Sequence, residues 1–218
     1  MKTPLSPHKD RSQRADAILA AAIPVFGRFG FKKTSVDDLA EAAGLSKQGL
    51  YLHFAGKDQI FVAAMQRYLD EGLLLVDAAL GQEGVALVEK LVDAMNAWFG
   101  RHLMTFTPDS FDVIGAGDHL SAEAIEQYKS GFRDRIAAAL KQSPEFSAGH
   151  PVSAEELAKV LFTFGLTWKE GRPTRAEFLE NIRLCVRACL PHPAPQQVPR
   201  TSVAAQKTMT SQRLKDTP

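Results

Sequence analysis

The chain has 218 residues, 45% of them hydrophobic, enough for one domain with a sizeable core or a small domain joined to a larger one. Its two cysteines cannot build a disulfide framework, and no stretch approaches the roughly 18 uninterrupted apolar residues of a transmembrane helix. The first residues also lack the apolar core and cleavage site of a signal peptide. Composition therefore argues against a disulfide-rich secreted protein and a membrane-spanning one, and we expect a cytoplasmic protein.

Charge is distributed unevenly, although the net charge is only +1. Residues 1–57 hold nine Lys or Arg against five Asp or Glu, whereas the rest of the chain holds 17 against 20. A basic N-terminal quarter on an acidic body fits nucleic-acid binding at that end. An ordinary solvated surface explains the charge alone equally well.

The N-terminal residues predict a flexible arm followed by a helix. Residues 1–11 are polar with two prolines, and apolar residues recur with helical spacing over 12–29. Gly30 is placed to end this helix. Pro24 lies inside it, where a missing N–H should bend the rod.

Two short helices are expected next. Thr34 and Asp37 have capping-box spacing at the start of a helix over 34–43, which Gly44 stops. Ser46 can cap a second helix that runs to about His53.

The rest of the chain also has helical spacing, without alternating β-branched runs. Residues 109–120 contain glycines and stay unassigned, and the Pro-rich polar segment 191–218 is expected to be disordered. Further helices are predicted over 57–80, 85–104, 121–142, 153–170 and 174–190. The predicted fold class is all-α.

Residues 34–58 have the pattern of a helix-turn-helix. Gly44 suits a left-handed turn between the two short helices, and Ala40 allows them to approach closely. The first helix can then cross a phosphate backbone while the second enters the major groove. The inward positions are small or aliphatic: Val36, Leu39, Ala40, Ala43, Leu45 and Leu50.

Exposed side chains on and beside the second helix suit DNA. Free N–H groups at its start favour phosphate, while Gln48 is suited to adenine and Lys47 to guanine or phosphate. A generic helical hairpin is the alternative, but it would not need Tyr51, His53 and Lys57 on one exposed side. The predicted DNA-binding residues are Ser46, Lys47, Gln48, Gly49, Tyr51, His53 and Lys57.

The same segment resembles the signature of the TetR family of regulators. The resemblance covers about residues 12–72 and places the helix-turn-helix at 35–54. It implies an all-helical fold of about nine helices, with an effector-binding and dimerisation domain over 73–190, and it adds Thr34 to the DNA-contacting positions. The matching residues are Ile18-Leu19, Ala21-Ala22, Phe26, Gly30, Thr34, Leu39-Ala40, Ala43-Gly44-Leu45-Ser46-Lys47, Leu50-Tyr51, His53-Phe54 and Lys57-Asp58.

Function follows from that resemblance as an expectation. Such regulators bind near-palindromic operators as homodimers and release DNA when a small molecule enters the C-terminal domain. Repression is the default. The alternatives are a DNA-binding architectural protein without an effector and, less favoured, a helical-bundle enzyme.

Aromatic residues of the C-terminal part suggest a cavity for an apolar or aromatic effector. Each of them could equally be ordinary core. The candidate pocket residues are Trp98, Phe99, His102, Phe106, Phe111, Tyr128, Phe132 and Phe162.

Two apolar stripes near the C-terminus are candidates for the dimer interface, a purely intramolecular stripe being the alternative. Cys185 and Cys189 could form a redox switch, but are better interpreted as small apolar residues. The interface candidates are Leu157, Leu161, Phe164, Trp168, Phe178, Ile182, Cys185 and Cys189.

The sequence holds no pattern typical of an enzyme. Glu-x-x-His, HExxH, GxSxG, P-loop and GxGxxG motifs are all missing, and His102, His119 and His150 have no compact metal-ligand spacing. We therefore expect no cofactor, no metal and no catalytic residues.

Overall fold

The computed structural model describes residues 7–107, 120–146, 150–171 and 173–190, and those ranges contain helices but no β-strand. This confirms the all-α prediction. A π-helical turn, Asn96–Gly100, interrupts the helix expected over 85–104, and a 3-10 turn, Pro144–Phe146, follows α7. The α-helices are α1 Pro7–Lys33, α2 Val36–Ala42, α3 Lys47–Tyr51, α4 Lys57–Leu80, α5 Leu87–Met95, α6 Arg101–Thr105, α7 Ala122–Gln142, α8 Ala154–Glu170 and α9 Arg175–Cys189.

Helix α1 begins inside the segment predicted to be a flexible arm. Pro7 is its first residue, a position where the missing N–H has no helical partner anyway. The rest of that arm, residues 1–6, and the tail 191–218 lie outside the described residues.

The expected break at Gly30 is confirmed, whereas Pro24 leaves the backbone of α1 helical. Gly30 has φ 75° and ψ 166°, and Pro24 lies within the helix on its exposed side. Because Ala20, whose carbonyl loses the bond from residue 24, is also exposed, water can satisfy that carbonyl.

The cap of α2 lies one residue later than predicted. Ser35 Oγ accepts a hydrogen bond from the Asp38 N–H at 3.1 Å, and Asp38 Oδ2 accepts one from the Ser35 N–H at 2.7 Å. Hydrogen bonds from the Ser35 side chain and backbone hold the pKa of Asp38 below its usual value. The predicted box of Thr34 and Asp37 is therefore wrong.

Helix α4 links two hydrophobic cores. Its first half contributes residues from Ile60 to Tyr68 to an N-terminal core, and its second half contributes Val76 and Ala79 to a C-terminal core. The predicted domain boundary after residue 72 falls inside this helix. The N-terminal core includes Ile18, Ala22, Phe26, Leu39, Ala40, Leu50, Phe54 and Phe61. The C-terminal core includes Leu91, Met95, Phe99, Phe132, Ile136, Leu157, Leu161, Phe178 and Ile182.

Helix α8 packs closely on the π-helical turn. A Cβ at Gly165 would approach the Phe99 ring carbons to 2.5 Å and Met95 Cε to 2.8 Å, so this position has no room for a side chain. Across the described ranges, no helix is both long and apolar enough to cross a membrane.

Candidate functional site

A tight turn joins the two short helices α2 and α3. Gly44 has φ 65°, its N–H donates to the Glu41 carbonyl at 3.0 Å, and the Leu45 N–H donates to the Ala40 carbonyl at 2.9 Å. This pair of bonds is a Schellman motif, which ends α2 and turns the chain toward α3. Leu50 is fully buried in the N-terminal core and anchors α3 against it.

Two of the residues predicted to contact DNA also shape the start of α3. Ser46 is the N-cap, and its Oγ accepts a hydrogen bond from the Gly49 N–H at 3.1 Å. A Cβ at Gly49 would lie only 3.3 Å from that Oγ. These two residues therefore set the position of the helix.

Three other residues of that set face solvent from α3: Lys47, Gln48 and Tyr51. Lys47 Nζ lies 3.0 Å from Asp37 Oδ2, and this hydrogen bond and the Asp37 charge raise the pKa of Lys47. Both partners are more than half exposed, so the ion pair contributes little to stability. A phosphate can take the place of the Asp37 carboxylate.

Thr34 and Lys57 both donate hydrogen bonds to backbone carbonyls of the chain. Thr34 is 2% exposed, and its hydroxyl donates to the Gly30 carbonyl at 2.7 Å. Lys57 Nζ donates to the carbonyls of Phe31 at 2.9 Å and Thr34 at 3.0 Å, and lies 4.3 Å from the Phe31 ring centroid. Lys57 thus ties the start of α4 to the end of α1, and its predicted contact with DNA stays a prediction. Burial removes the Thr34 hydroxyl from the exposed surface beside α3.

The residues that follow α3 lie beside the exposed side chains of Lys47, Gln48 and Tyr51. His53 is half-buried, and its Nδ1 has no hydrogen-bond partner within the described part of the chain. Arg11, which the sequence did not single out, donates from Nη2 to the Leu52 carbonyl at 3.1 Å. A cation at a helix C-terminus interacts favourably with the helix dipole.

Behind the helix-turn-helix, a cavity of about 350 Å³ lies among α4, α6, α7, α8 and the π-helical turn. Of the predicted pocket residues, Phe132 lies behind the wall, with its ring centroid 5.4 Å from that of Trp98. Phe111 lies outside the described residues. The other six line the cavity: Trp98, Phe99, His102, Phe106, Tyr128 and Phe162.

Other lining residues were not predicted. Lys169 follows Phe162 and Leu166 at helical spacing on α8, a signal that placed it on the same face. No sequence pattern predicted the lining residues on α4, because no local spacing relates α4 to the aromatic residues of α6. The unpredicted lining residues are Met65, Tyr68, Leu69, Leu120, Ile125, Lys129, Leu166 and Lys169.

The polar wall of the cavity centres on Tyr68 and His102, whose Oη and Nδ1 atoms lie 2.8 Å apart. Burial, assisted by the charges of Lys169 and Arg101, holds the pKa of His102 well below its usual value. Burial raises the pKa of Tyr68 to about 12. Both groups are therefore neutral at neutral pH.

Arg101 ties α6 to α4 beside that pair. Its guanidinium carbon lies 3.8 Å from the Tyr68 ring centroid, and Nη1 donates to the Tyr68 carbonyl at 2.9 Å. Nη2 also lies 3.0 Å from Glu71 Oε2. These contacts hold α6 against the middle of α4.

The end of α6 also contacts α1. The Thr107 N–H donates to the Gly27 carbonyl at 2.8 Å, and Thr107 Oγ1 donates to the Arg28 carbonyl at 3.0 Å. A Cβ at Gly27 would lie 2.1 Å from the Thr105 carbonyl oxygen, so only glycine allows this approach. Helix α6 therefore bridges the cavity and the N-terminal core.

Half of the predicted dimer-interface residues lie inside the chain's own core. Leu157, Leu161, Phe178 and Ile182 are each no more than 2% exposed. They are therefore unavailable to a partner, which corrects that part of the prediction. The other four, Phe164, Trp168, Cys185 and Cys189, are half-buried, and Val160 and Leu184 are exposed on the same two helices.

The two thiols are free, and burial, with a smaller effect of Cys189, raises the pKa of Cys185 to about 12. The Cys185 thiol is therefore a poor nucleophile at neutral pH. Within the described ranges, no group of three or more His, Cys, Asp or Glu is arranged to hold a metal ion.

Comparison with known proteins agrees with this geometry. Residues 18–64 match the family model of "Bacterial regulatory proteins, tetR family". The chain is 32% identical over 108 residues to YfiR of Bacillus subtilis, an uncharacterized HTH-type transcriptional regulator. That match covers 49% of this chain and about half of the relative, 52% of its length.

Two solved structures share the fold. The reduced form of Escherichia coli NemR superposes with a TM-score of 0.65 at 19% identity, over 84% of this chain and 100% of that one. AibR in complex with isovaleryl coenzyme A and operator DNA gives 0.56 at 22% identity, over 78% and 96%. YfiR is named as a transcriptional regulator, and AibR was solved with operator DNA. The helix-turn-helix part of the chain is therefore similar to the TetR family of bacterial regulatory proteins over residues 18–64, and the helical body shares the fold of the solved structures above.

Proposed function

We propose that this protein is a homodimeric, sequence-specific DNA-binding repressor that leaves a near-palindromic operator when a small, largely apolar molecule binds its cavity. The observation that carries the proposal is the position of the cavity. Its walls include α4, which is shared by both cores, and α6, whose end contacts α1. A ligand there contacts the two helices that hold the helix-turn-helix in place.

Operator recognition is assigned to the exposed face of α3. Lys47 exchanges Asp37 for a phosphate or a guanine edge, Gln48 reads a base edge, and Tyr51 donates to a phosphate. A two-fold dimer places two such helices in successive major grooves, about 34–36 Å apart. Such a repressor acts where the chromosome is, in the cytoplasm.

Release is assigned to movement of α4 and α6. A ligand between the aromatic wall and the Tyr68–His102 pair displaces α6, and Arg101 passes that displacement to α4. The spacing between the two copies of α3 then changes. A coupling of about 1–3 kcal/mol changes operator affinity 5- to 150-fold. AibR was solved in complex with isovaleryl coenzyme A and operator DNA, which supports the proposal that a protein of this fold binds both a small molecule and DNA.

An effector-independent architectural DNA-binding protein is less well supported. Such a protein has no need of an aromatic-lined cavity joined to its DNA-binding part. It would also shift any duplex to a similar extent, whereas a specific repressor shifts its operator in the presence of competitor DNA.

The test is a mobility shift on the intergenic DNA upstream of the protein's own gene, at about physiological salt. The double variant Lys47→Ala/Tyr51→Ala should bind at least about 100-fold more weakly, because each subunit then lacks base or phosphate interactions worth about 1–3 kcal/mol. Lys159→Ala, an exposed lysine on α8, is the matched control and should bind like the unmodified protein. Full binding by a correctly folded double variant would show that α3 is not the recognition helix.

A further inference from the structure

Most polar side chains that line the cavity already have partners in the chain. The Tyr128 hydroxyl donates to Asp70 Oδ1 at 2.8 Å. Lys129 Nζ lies 3.9 Å from Glu126 Oε2, and Lys169 also interacts with another group of the chain. The charges in the described lining are therefore compensated and do not select a charged ligand.

His102 differs, because one of its ring nitrogens makes no hydrogen bond within the described ranges. Nδ1 lies 2.8 Å from the Tyr68 hydroxyl oxygen, whereas Nε2 has no such partner there. The buried side-chain atom without a partner in those ranges is His53 Nδ1, so His102 Nε2 keeps accessible surface. Since the His102 side chain lines the cavity, a ligand there can bond to Nε2.

The Tyr68–His102 hydrogen bond decides whether Nε2 donates or accepts. Burial raises the pKa of Tyr68 to about 12, so its hydroxyl keeps its single proton at neutral pH. Among the described groups this hydroxyl bonds only to Nδ1, and it therefore donates its proton to Nδ1. Burial also holds the pKa of His102 well below its usual value, so the ring is neutral and its one proton is on Nε2. Nε2–H is consequently an uncharged hydrogen-bond donor.

We propose that the effector is a compact neutral molecule with a carbonyl group, whose oxygen accepts a hydrogen bond from His102 Nε2 and whose apolar body lies against Trp98, Phe99 and Phe162. This inference rests on the proposed function, which makes the cavity the effector site. A carboxylate would lose its hydration without gaining an unpaired cation, and a hydrocarbon would leave Nε2–H without a partner. A cavity of about 350 Å³ is at the small end of ligand sites, which favours a compact molecule.

Two sets of nearly isosteric probes test the ligand class with the full chain at neutral pH. The aromatic set is 4-phenylbutan-2-one, 3-phenylpropanoate and isopentylbenzene, and the aliphatic set is octan-2-one, heptanoate and 2-methyloctane. Isothermal titration calorimetry measures the ketones and acids directly and the hydrocarbons by competition. At least one ketone should bind about tenfold or more tighter than its acid, because nothing offsets the desolvation of the carboxylate.

His102→Phe separates the hydrogen bond from the apolar contacts. This variant should bind the ketone about tenfold more weakly, because the carbonyl loses its donor, while binding of the hydrocarbon stays within about twofold. His150→Phe is the matched control, since the His150 ring bonds to the Val152 and Cys189 carbonyls and is not part of the cavity lining, and it should bind both probes like the unmodified protein. Circular dichroism establishes folding. If His102→Phe does not fold, Tyr68→Phe/His102→Phe, which removes both partners of the buried bond, is used with the same expected loss.

Nitrogen NMR of the isotopically labelled protein tests the tautomer without a ligand. The His102 signals, identified by their loss in His102→Phe, should show a protonated Nε2 and an unprotonated Nδ1 near neutral pH. Addition of the ketone should shift the Nε2 signal and leave the proton in place. A proton on Nδ1 instead would make Nε2 an acceptor and overturn the carbonyl assignment.

Four binding results would also overturn the proposal. They are an acid that binds as tightly as its ketone, a ketone affinity that survives loss of the His102 imidazole, equal losses of ketone and hydrocarbon binding in His102→Phe, and the absence of binding by either ketone at millimolar concentration.

Operator release is measured separately by mobility shift, so the two proposals fail differently. Ketone binding that leaves the operator complex intact contradicts ligand-controlled release and keeps the ligand class. Release by the acids but not the ketones contradicts the ligand class and keeps the regulatory function.

Discussion

Polar residues of the helix-turn-helix divide into those that shape it and those that remain available to DNA. Ser46 and Lys57 use their polar atoms on backbone groups of the chain itself. Lys47 and Gln48 are exposed, and the partner of Lys47 is an exposed carboxylate. Position beside a DNA-binding helix is therefore not enough to identify a lysine as a phosphate contact.

Lys57→Met tests this division. Removal of two hydrogen bonds to backbone carbonyls and of the interaction with the Phe31 ring should lower the free energy of unfolding by about 1–3 kcal/mol. The slope of log K against log salt for operator binding should stay unchanged. Urea denaturation at fixed protein concentration and mobility shifts at several salt concentrations measure the two quantities.

Lys47→Met is the matched control and should show the opposite pattern. Its stability should change little, because the Asp37 pair is exposed. Its salt slope should fall by about one for each phosphate that the variant no longer neutralises. A reduced salt slope for Lys57→Met would instead place Lys57 on the DNA.

At the scale of elements, the junction of α6 with α1 is one connection between the cavity and the N-terminal core. His102 and Phe106, which line the cavity, flank Thr105, whose carbonyl faces Gly27. This contact depends on the absence of a side chain at position 27. Helix α4 provides the second connection through Arg101 and Tyr68.

Gly27→Ala should separate α6 from α1. The new Cβ would lie 2.1 Å from a backbone oxygen, which cannot rotate away, so the junction must open. We expect a decrease of about 1–3 kcal/mol in unfolding free energy and weaker operator binding. Urea denaturation and mobility shift measure these effects.

Gly131→Ala is the control, because a Cβ there meets Arg135 Nη1 at 3.4 Å and Leu73 Cδ1 at 3.5 Å, both ordinary contacts on flexible side chains. In the middle of α7 this change should be neutral or stabilise by up to about 1 kcal/mol. Equal stability of the two alanine variants would contradict the tight junction.

For the whole molecule, the dimer proposal now rests on the outer face of α8 and α9. Val160 is 51% exposed and Leu184 is 66% exposed, with Phe164 and Trp168 half-buried nearby in sequence. Covering apolar side chains of this kind favours association. The inward faces of the same helices already belong to the monomer's core.

Val160→Glu and Leu184→Glu should each convert the protein to a monomer of about 23.9 kDa at micromolar concentration, and weaken operator binding because one half-site alone is held. Analytical ultracentrifugation measures the mass. Leu74→Glu changes an equally exposed leucine, 68%, on α4 and should remain dimeric. If Val160→Glu and Leu184→Glu both remain dimeric, the interface lies elsewhere on the molecule.

The sequence by itself determined what depends on neighbours along the chain. The Gly44 turn, the Ser46 cap and the Gly30 break each arise within about five residues, so local patterns predicted them. It erred by one residue at α2, where Thr34 and Ser35 have equivalent spacing to Asp37 and Asp38. Burial of Thr34 decides between them.

Only the tertiary structure decided what depends on distant segments. Lys57 binds carbonyls 23 and 26 residues away, and Tyr68 meets His102 across 34 residues. Helical spacing grouped the apolar residues of α8 and α9 into stripes, but a stripe does not state whether its own chain or a second one covers it. Packing of α8 against α7, and of α9 against α5, turned Leu157 and Phe178 inward, because burying them within one chain needs no partner.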